Sequence, residues 1–196
     1  AISGTVEAAQ LAAAAVREEV AVEVVDSRTL GMGMGYAAVS AARAAREGAG
    51  ADEVADLARR RCEASSTYFY VDTLEHLRRG GRVGTAQAIV GSALAIKPLL
   101  MLTDGEVQLA ERVRTRAKAL ARLEERCREA IDAVPADQGL DVAVHHLGWP
   151  DQAEELQGRL REVCGGRGRL DLVELGAVAG VHTGPGTLAV AVVPQV

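Results

Sequence analysis

His182, in Val181-His182-Thr183-Gly184-Pro185-Gly186, is the side chain whose surroundings most clearly suggest chemistry. An imidazole beside a Gly-Pro-Gly turn, between two apolar runs, sits where backbone N–H groups can face a ligand. The competing reading is a turn histidine satisfied by a carbonyl, which by count is commoner. His145 and His146 fall on opposite faces of a strand and cannot chelate one ion together. His76 lies on a helix with no acid or cysteine at ligand spacing, so no metal site is expected. Serine, histidine and aspartate all occur, but no GxSxG elbow surrounds a serine. No catalytic residue is assigned, and no cofactor is expected.

The glycines offer a sharper rival. Gly33, Gly35 and Ala38 satisfy the relaxed G-x-G-x-x-G/A dinucleotide pattern after a strand. That fingerprint requires a second strand ending in an acid that holds the ribose. Here Ala51–Ala64 reads as another helix, with Asp52 and Glu53 in its first turn, where the helix dipole favours them. A small α/β nucleotide-binding protein or enzyme using the loop at 31–35 stays the alternative. The glycines read better as letting a helix start close to its neighbours.

Composition narrows the field. Hydrophobic residues are 48% and charged residues 25% of 196, ordinary for a globular chain with a sizeable core. Aromatics are 3%, so Ala, Val and Leu must fill that core. A net charge of −5 argues against nucleic acid as the main partner. The basic cluster Arg112, Arg114, Arg116 and Lys118 is a local exception that reads as a solvated patch. Cys62, Cys127 and Cys164 are widely spaced and odd in number, which suggests reduced thiols and a cytoplasmic protein. No apolar run reaches membrane-span length, and no secretion signal is expected at the N-terminus.

The positioning elements centre on Val71–Leu100. Asp72-Thr73-Leu74-Glu75 reads as a capped helix start, Arg78 and Arg79 suit the last turn, and Gly80-Gly81 supplies a left-handed stop. A mostly apolar helix then runs from Val83 to Leu94, either as core or as the wall of an apolar site. Upstream, Ser3 or Thr5 caps a helix over VEAAQLAAAAVREE, Val22–Val25 is a short strand ending at Asp26-Ser27, and Ser66–Val71 is a strand with Tyr68 and Tyr70 on one face. Downstream, Ile96–Thr103 and Gly105–Val113 form a hairpin, with Pro98 suggesting an edge position. A long amphipathic helix follows Thr115. Then come a strand at LDVAVHHLG, a helix from Pro150 to Cys164, and strands at LDLVELG and TLAVAVV.

The run TLEHLRRGGRVGTAQAIVGSALAIKPLL resembles the DegV fatty-acid-binding family, marked by a leucine-containing helix, a GGR turn, an apolar helix and IKP. The order SGT, DS, GGR, IKP, VR and HTGPG extends the resemblance over nearly the whole chain. GGR…IKP together with HTGPG is specific, whereas SGT and DS are short. The family's earlier strand–helix section, with its threonine/serine-rich head-group segment, has no counterpart here. Either another chain supplies it or the sequence is a fragment.

The resemblance implies an α/β, two-lobed fold, with a partial parallel α/β N-terminal lobe over 1–72 and an α+β C-terminal lobe over 73–196. It implies a long-chain fatty acid held between the lobes, and a fatty-acid kinase that receives the presented carboxylate and makes the acyl phosphate. The chain itself would be a carrier and not an enzyme. Ser3, Gly4, His182, Thr183 and Gly184 would meet the head group. Val83, Ala86, Ile89, Val90, Leu94 and Ile96 would wall the acyl chain. Arg112, Arg114, Asp26 and Ser27 would form the rim or kinase contact.

Overall fold

A computed structural model describes residues 3–89 and 96–196. The expected wall residues Val90 and Leu94 lie outside the described residues, and so does the Ile89 side chain.

The fold is mixed α/β. Among the described residues six strands form one sheet in the order β3-β2-β1-β6-β4-β5. They are β1 (Ser66–Tyr70), β2 (Leu99–Thr103), β3 (Glu106–Glu111), β4 (Leu140–Leu147), β5 (Leu170–Glu174) and β6 (Thr187–Pro194). All neighbours are antiparallel except β4 and β5, which α6 (Pro150–Cys164) joins in parallel. The strand β1, on the N-terminal side of the expected boundary at 72/73, is hydrogen-bonded to both β2 and β6. Asp104 and Gly105 both have positive φ, the geometry that a two-residue Asp-Gly hairpin demands between β2 and β3.

One sheet face presents Tyr70, Leu99, Val142, Val144, Leu188, Val190 and Val192 to α5 (Arg116–Asp132) and α6. The helices return Leu123, Cys127, Ile131, Leu156 and Leu160, all buried. Each of these larger side chains contributes roughly 1.5–3 kcal/mol on leaving water. The other face divides in two. Over β4 and β6 it is floored by Ala143 and Ala191, small enough for α2 (Met32–Arg46) to lie close, with the Tyr36 hydroxyl 2.7 Å from the Val142 carbonyl oxygen and 2.8 Å from an Asp171 carboxylate oxygen, which share its one hydrogen. Over β1–β3, Phe69, Leu100, Leu102 and Val107 pack with Leu77, Val83 and Ala86. On the β4–β6 side α3 (Ala51–Glu63) contributes Arg61, whose guanidinium bonds Asp141 of β4 at 2.6 Å while both side chains are buried. Breaking one half of such a pair typically costs about 3–5 kcal/mol.

The structure corrects several expectations. Val22–Val25 is not a strand. It stays outside the sheet, and Val20 and Val22 are exposed, because a strand needs a ladder partner and none is provided among the described residues. The helix α1 (Thr5–Ala15) forms as expected but buries no residue, and Leu11 is 74% exposed. Pro98 precedes an inner strand rather than marking an edge, since β2 begins only at Leu99.

After GGR the chain takes a 3₁₀ turn at Gly84–Ile89 instead of entering an α-helix at Val83. Gly84, at φ +54, is drawn against the β3 backbone, where a Cβ would stand 1.8 Å from the Val107 carbonyl oxygen. Next to it, the Thr85 hydroxyl accepts from the Leu109 N–H at 3.1 Å. Finally, the run between β5 and β6 is not a plain turn. It contains α7 (Ala177–Thr183), and His182 sits in that helix's last turn. Among the described residues no helix is long and apolar enough to cross a membrane.

Candidate functional site

Two short helices bring the GGR and HTGPG segments together. The helix α4 (Glu75–Arg79) starts after Thr73, whose hydroxyl accepts from the Glu75 N–H at 3.2 Å. Glu75 does not reach back as in a capping box. It holds Arg78 and Arg79 at 2.7 Å each, so both guanidiniums on this helix have a counter-ion. Gly81 carries the left-handed stop at φ +68, whereas Gly80 has an ordinary φ of −75.

Gly80 is small for another reason. A Cβ there would stand 2.1 Å from Nδ1 of His182. Reciprocally, a Cβ on Gly184 would stand 2.3 Å from Cδ2 of His76. Each imidazole therefore lies against the backbone of the other helix. His182 Nδ1 and Thr183 Oγ1 are both buried and have no hydrogen-bond partner among the described residues. Leaving such groups unpaired costs about 1–3 kcal/mol apiece, which marks the seam between α4 and α7 as a place with unused polar capacity.

Beneath the Gly-Pro-Gly turn lies Asp72. Its carboxylate accepts from Arg116 at 2.6 Å, Tyr70 at 3.0 Å and Lys97 at 3.2 Å. These donors, Arg116 foremost, hold the carboxyl down to about 2. Lys97 also reaches the Asp72 carbonyl at 2.7 Å, and Arg116 lies 5.3 Å over the ring of Trp149. The Gly186 N–H donates to the Leu147 carbonyl at 2.9 Å, and a Cβ on Gly186 would touch that of Asp72 at 3.3 Å. The IKP lysine, the start of α5 and the turn after His182 thus meet at one carboxylate.

The other predicted residues are distributed as follows. Val83 and Ala86 are buried in the apolar cluster over β1–β3, continuous with Leu77 of α4, and Ile96 is half-buried. Arg112 and Arg114 are exposed between β3 and α5, near Arg116 in the chain. Ser3 bonds Thr5 through its hydroxyl at 2.6 Å and accepts from the Thr5 N–H at 3.2 Å, and Gly4 is the N-cap of α1. Asp26 accepts from the Arg28 N–H at 3.1 Å, and Ser27 donates to the Thr29 carbonyl at 3.1 Å. Both line a cleft of about 560 Å³ with Thr67, Leu102 and Asp104. That cleft opens at the start of β1, whereas the α4–α7 seam lies beyond its end.

The glycine-rich loop is occupied by protein. The Met32 N–H, first in α2, donates to Nε2 of His145 at 3.0 Å, and a Cβ on Gly31 would stand 2.9 Å from the same nitrogen. Burial pushes His145 down to about 4, against the raising effect of its bond to the Ala189 backbone. Gly33 gives room to Thr29 and Gly35 to Met32. Among the described residues no cluster of His, Cys, Asp and Glu could hold a metal ion.

Asp72, His76, Lys97, Arg116 and Trp149 are the neighbours that sequence reasoning did not assign to this region. The one available signal was the doubled glycine: a left-handed stop needs only one, and the other makes room for His182.

Comparison with known proteins matches residues 1–195 to the family model described as an uncharacterised protein of the DegV family. A DegV domain-containing protein of Streptomyces coelicolor is 49% identical over 192 residues, covering 97% of this chain and 66% of the relative. One from Mycobacterium tuberculosis is 38% identical over 192 residues, covering 98% and 66%. The crystal structure of a fatty acid binding DegV family protein from Streptococcus agalactiae has a TM-score of 0.86 at 30% identity, covering all of this chain (100%) and 67% of that one. DegV of Bacillus subtilis, a fatty acid binding protein, has a TM-score of 0.85 at 30% identity, covering 98% and 67%. The chain spans 66% of the length of these curated relatives.

Proposed function

The chain belongs to the DegV family, and from that premise we propose that it binds a long-chain fatty acid whose carboxylate docks at the α4–α7 seam. The observation that carries this reading is the buried, unpartnered pair His182 Nδ1 and Thr183 Oγ1. A carboxylate is an acceptor-only group, and a buried one is tolerable only when donors meet it. His182 and Thr183 supply such donors on this side, whereas the Gly184 N–H is already given to the Gly180 carbonyl at 2.8 Å, and Ser3 and Gly4 complete the head-group set.

Among the described residues, Val83, Ala86 and Ile96 are the apolar side chains offered to the acyl chain. A dozen buried methylenes at about 0.8 kcal/mol each provide roughly 10 kcal/mol before association costs. Small aliphatic side chains suit that task, since they leave width for a threaded chain. Two of the relatives reported above are fatty-acid-binding proteins, which supports the ligand class.

In the finer reading the protein is a cytoplasmic carrier, not a catalyst. It presents the carboxylate to a fatty-acid kinase for acyl-phosphate formation, with Arg112 and Arg114 at the rim, while Asp26 and Ser27 line the separate cleft at the start of β1. Nucleotide binding at 31–35 is disfavoured because His145 already takes the first N–H of α2 and fills the space over Gly31.

Mass spectrometry of organic extracts of the purified protein tests the ligand class. Long-chain fatty acid at near-stoichiometric yield is expected. Its absence, with tight mononucleotide binding by calorimetry, would overturn the reading.

A further inference from the structure

We propose that His76 is a second ligand-binding residue, donating an imidazole N–H to the same acid group that His182 and Thr183 meet. The assignment rests on the fatty-acid reading above and extends its head-group site across to α4.

The geometry is reciprocal. His182 of α7 lies on Gly80, and His76 of α4 lies on Gly184, with a Cβ at 184 standing 2.7 Å from Nε2 of His76. Gly184, at φ +76, ends α7 with its N–H on the Gly180 carbonyl at 2.8 Å and its carbonyl accepting from Thr187 at 2.6 Å. The His76 ring therefore abuts the residue that directly follows His182 and Thr183. A side chain kept only to fill space beside a glycine would need no polar atoms.

The hydrogen-bond inventory points the same way. The His76 imidazole has no hydrogen bond among the described residues, and His182 Nδ1 and Thr183 Oγ1 have none either. The half-exposed His76 ring thus stands at the same seam as two buried polar atoms without partners. A carboxylate offers two oxygens with about four lone-pair sites, which leaves room for a further side-chain donor beside His182, Thr183 and Ser3. Arg78 and Arg79 are committed to Glu75 at 2.7 Å each, so the imidazole is the unengaged donor of α4 itself.

The test measures affinity for palmitic acid and for hexadecanol, which shares the chain but lacks the carboxylate, on three variants. His76→Phe keeps a ring on Gly184 without an N–H, His76→Gln keeps a donor, and His76→Ala removes both. The expected result is about tenfold weaker palmitic acid binding for Phe and Ala, the worth of one hydrogen bond to a charged group, with Gln close to wild type. Hexadecanol affinity should not change for Phe. Wild-type palmitic acid affinity in His76→Phe, or equal losses for acid and alcohol, would reduce His76 to packing and overturn the assignment. Gln as weak as Phe would do the same. A wild-type protein that takes up neither probe would instead remove the fatty-acid reading itself, and His76's role with it.

Discussion

His182 lies against the backbone of Gly80, so close that a Cβ at position 80 would stand 2.1 Å from its Nδ1. Two segments a hundred residues apart in the chain, GGR and HTGPG, are locked by the absence of one methyl group.

Gly80→Ala isolates that contact. The backbone at Gly80, with φ −75, accepts alanine without strain, and outside this contact the change would stabilise by about 0.4–1 kcal/mol. Overpacking against the imidazole should instead cost about 1–3 kcal/mol in denaturant unfolding. The double variant Gly80→Ala with His182→Ala should recover most of that loss. A Gly80→Ala protein as stable as wild type would show that the imidazole moves aside freely.

Asp72 gathers Arg116, Tyr70 and Lys97 under the HTGPG turn, and its carboxyl is held down to about 2 against an ordinary 3.8. A lowered carboxyl pKa adds stability above the unfolded value and loses it as pH falls through the folded one. The side chain is 40% exposed, so solvent screening reduces the benefit to about 1 kcal/mol. Asp72→Asn should therefore be less stable than wild type at pH 7, and the gap should close between pH 4 and pH 2. Urea titrations at three pH values in that range would show it.

His145 gives the opposite chemistry and the same acid weakness. It is 3% exposed, accepts from the Met32 N–H, and is pushed from 6.5 down to about 4. The neutral ring is the native form, so stability is full above about pH 6.5 and falls as the unfolded chain takes up a proton between 6.5 and 4, by up to about 3 kcal/mol. In NMR titrations the His145 ring signals should stay those of a neutral imidazole at pH 5.5. A midpoint near 6.5 would contradict the cap.

Much of the scaffold was legible. TLAVAVV reads as a strand because a continuous apolar run suits a position buried on both faces, and β6 is indeed central. The Asp104-Gly105 hairpin and the amphipathic α5 follow from local chemistry in the same way. The misreadings share a cause. Val22–Val25 has strand composition but no ladder partner. The run from Val83 has helical composition, yet Gly84 and Thr85 are tied to β3, 20 or more residues downstream. Composition cannot see a partner that is distant in sequence. At the α4–α7 seam, HTGPG drew attention to His182 and Thr183, while Asp72, Lys97 and Arg116 drew none, because each alone looks like a cap or a surface charge.

The central claim is that His182 meets the acid group of a bound fatty acid. Calorimetric titration of delipidated wild type and His182→Ala with palmitic acid addresses it most directly. The expected outcome is roughly 10- to 100-fold weaker binding by the variant, with its thermal transition retained. Equal affinities in two folded proteins would place the carboxylate elsewhere and contradict the claim.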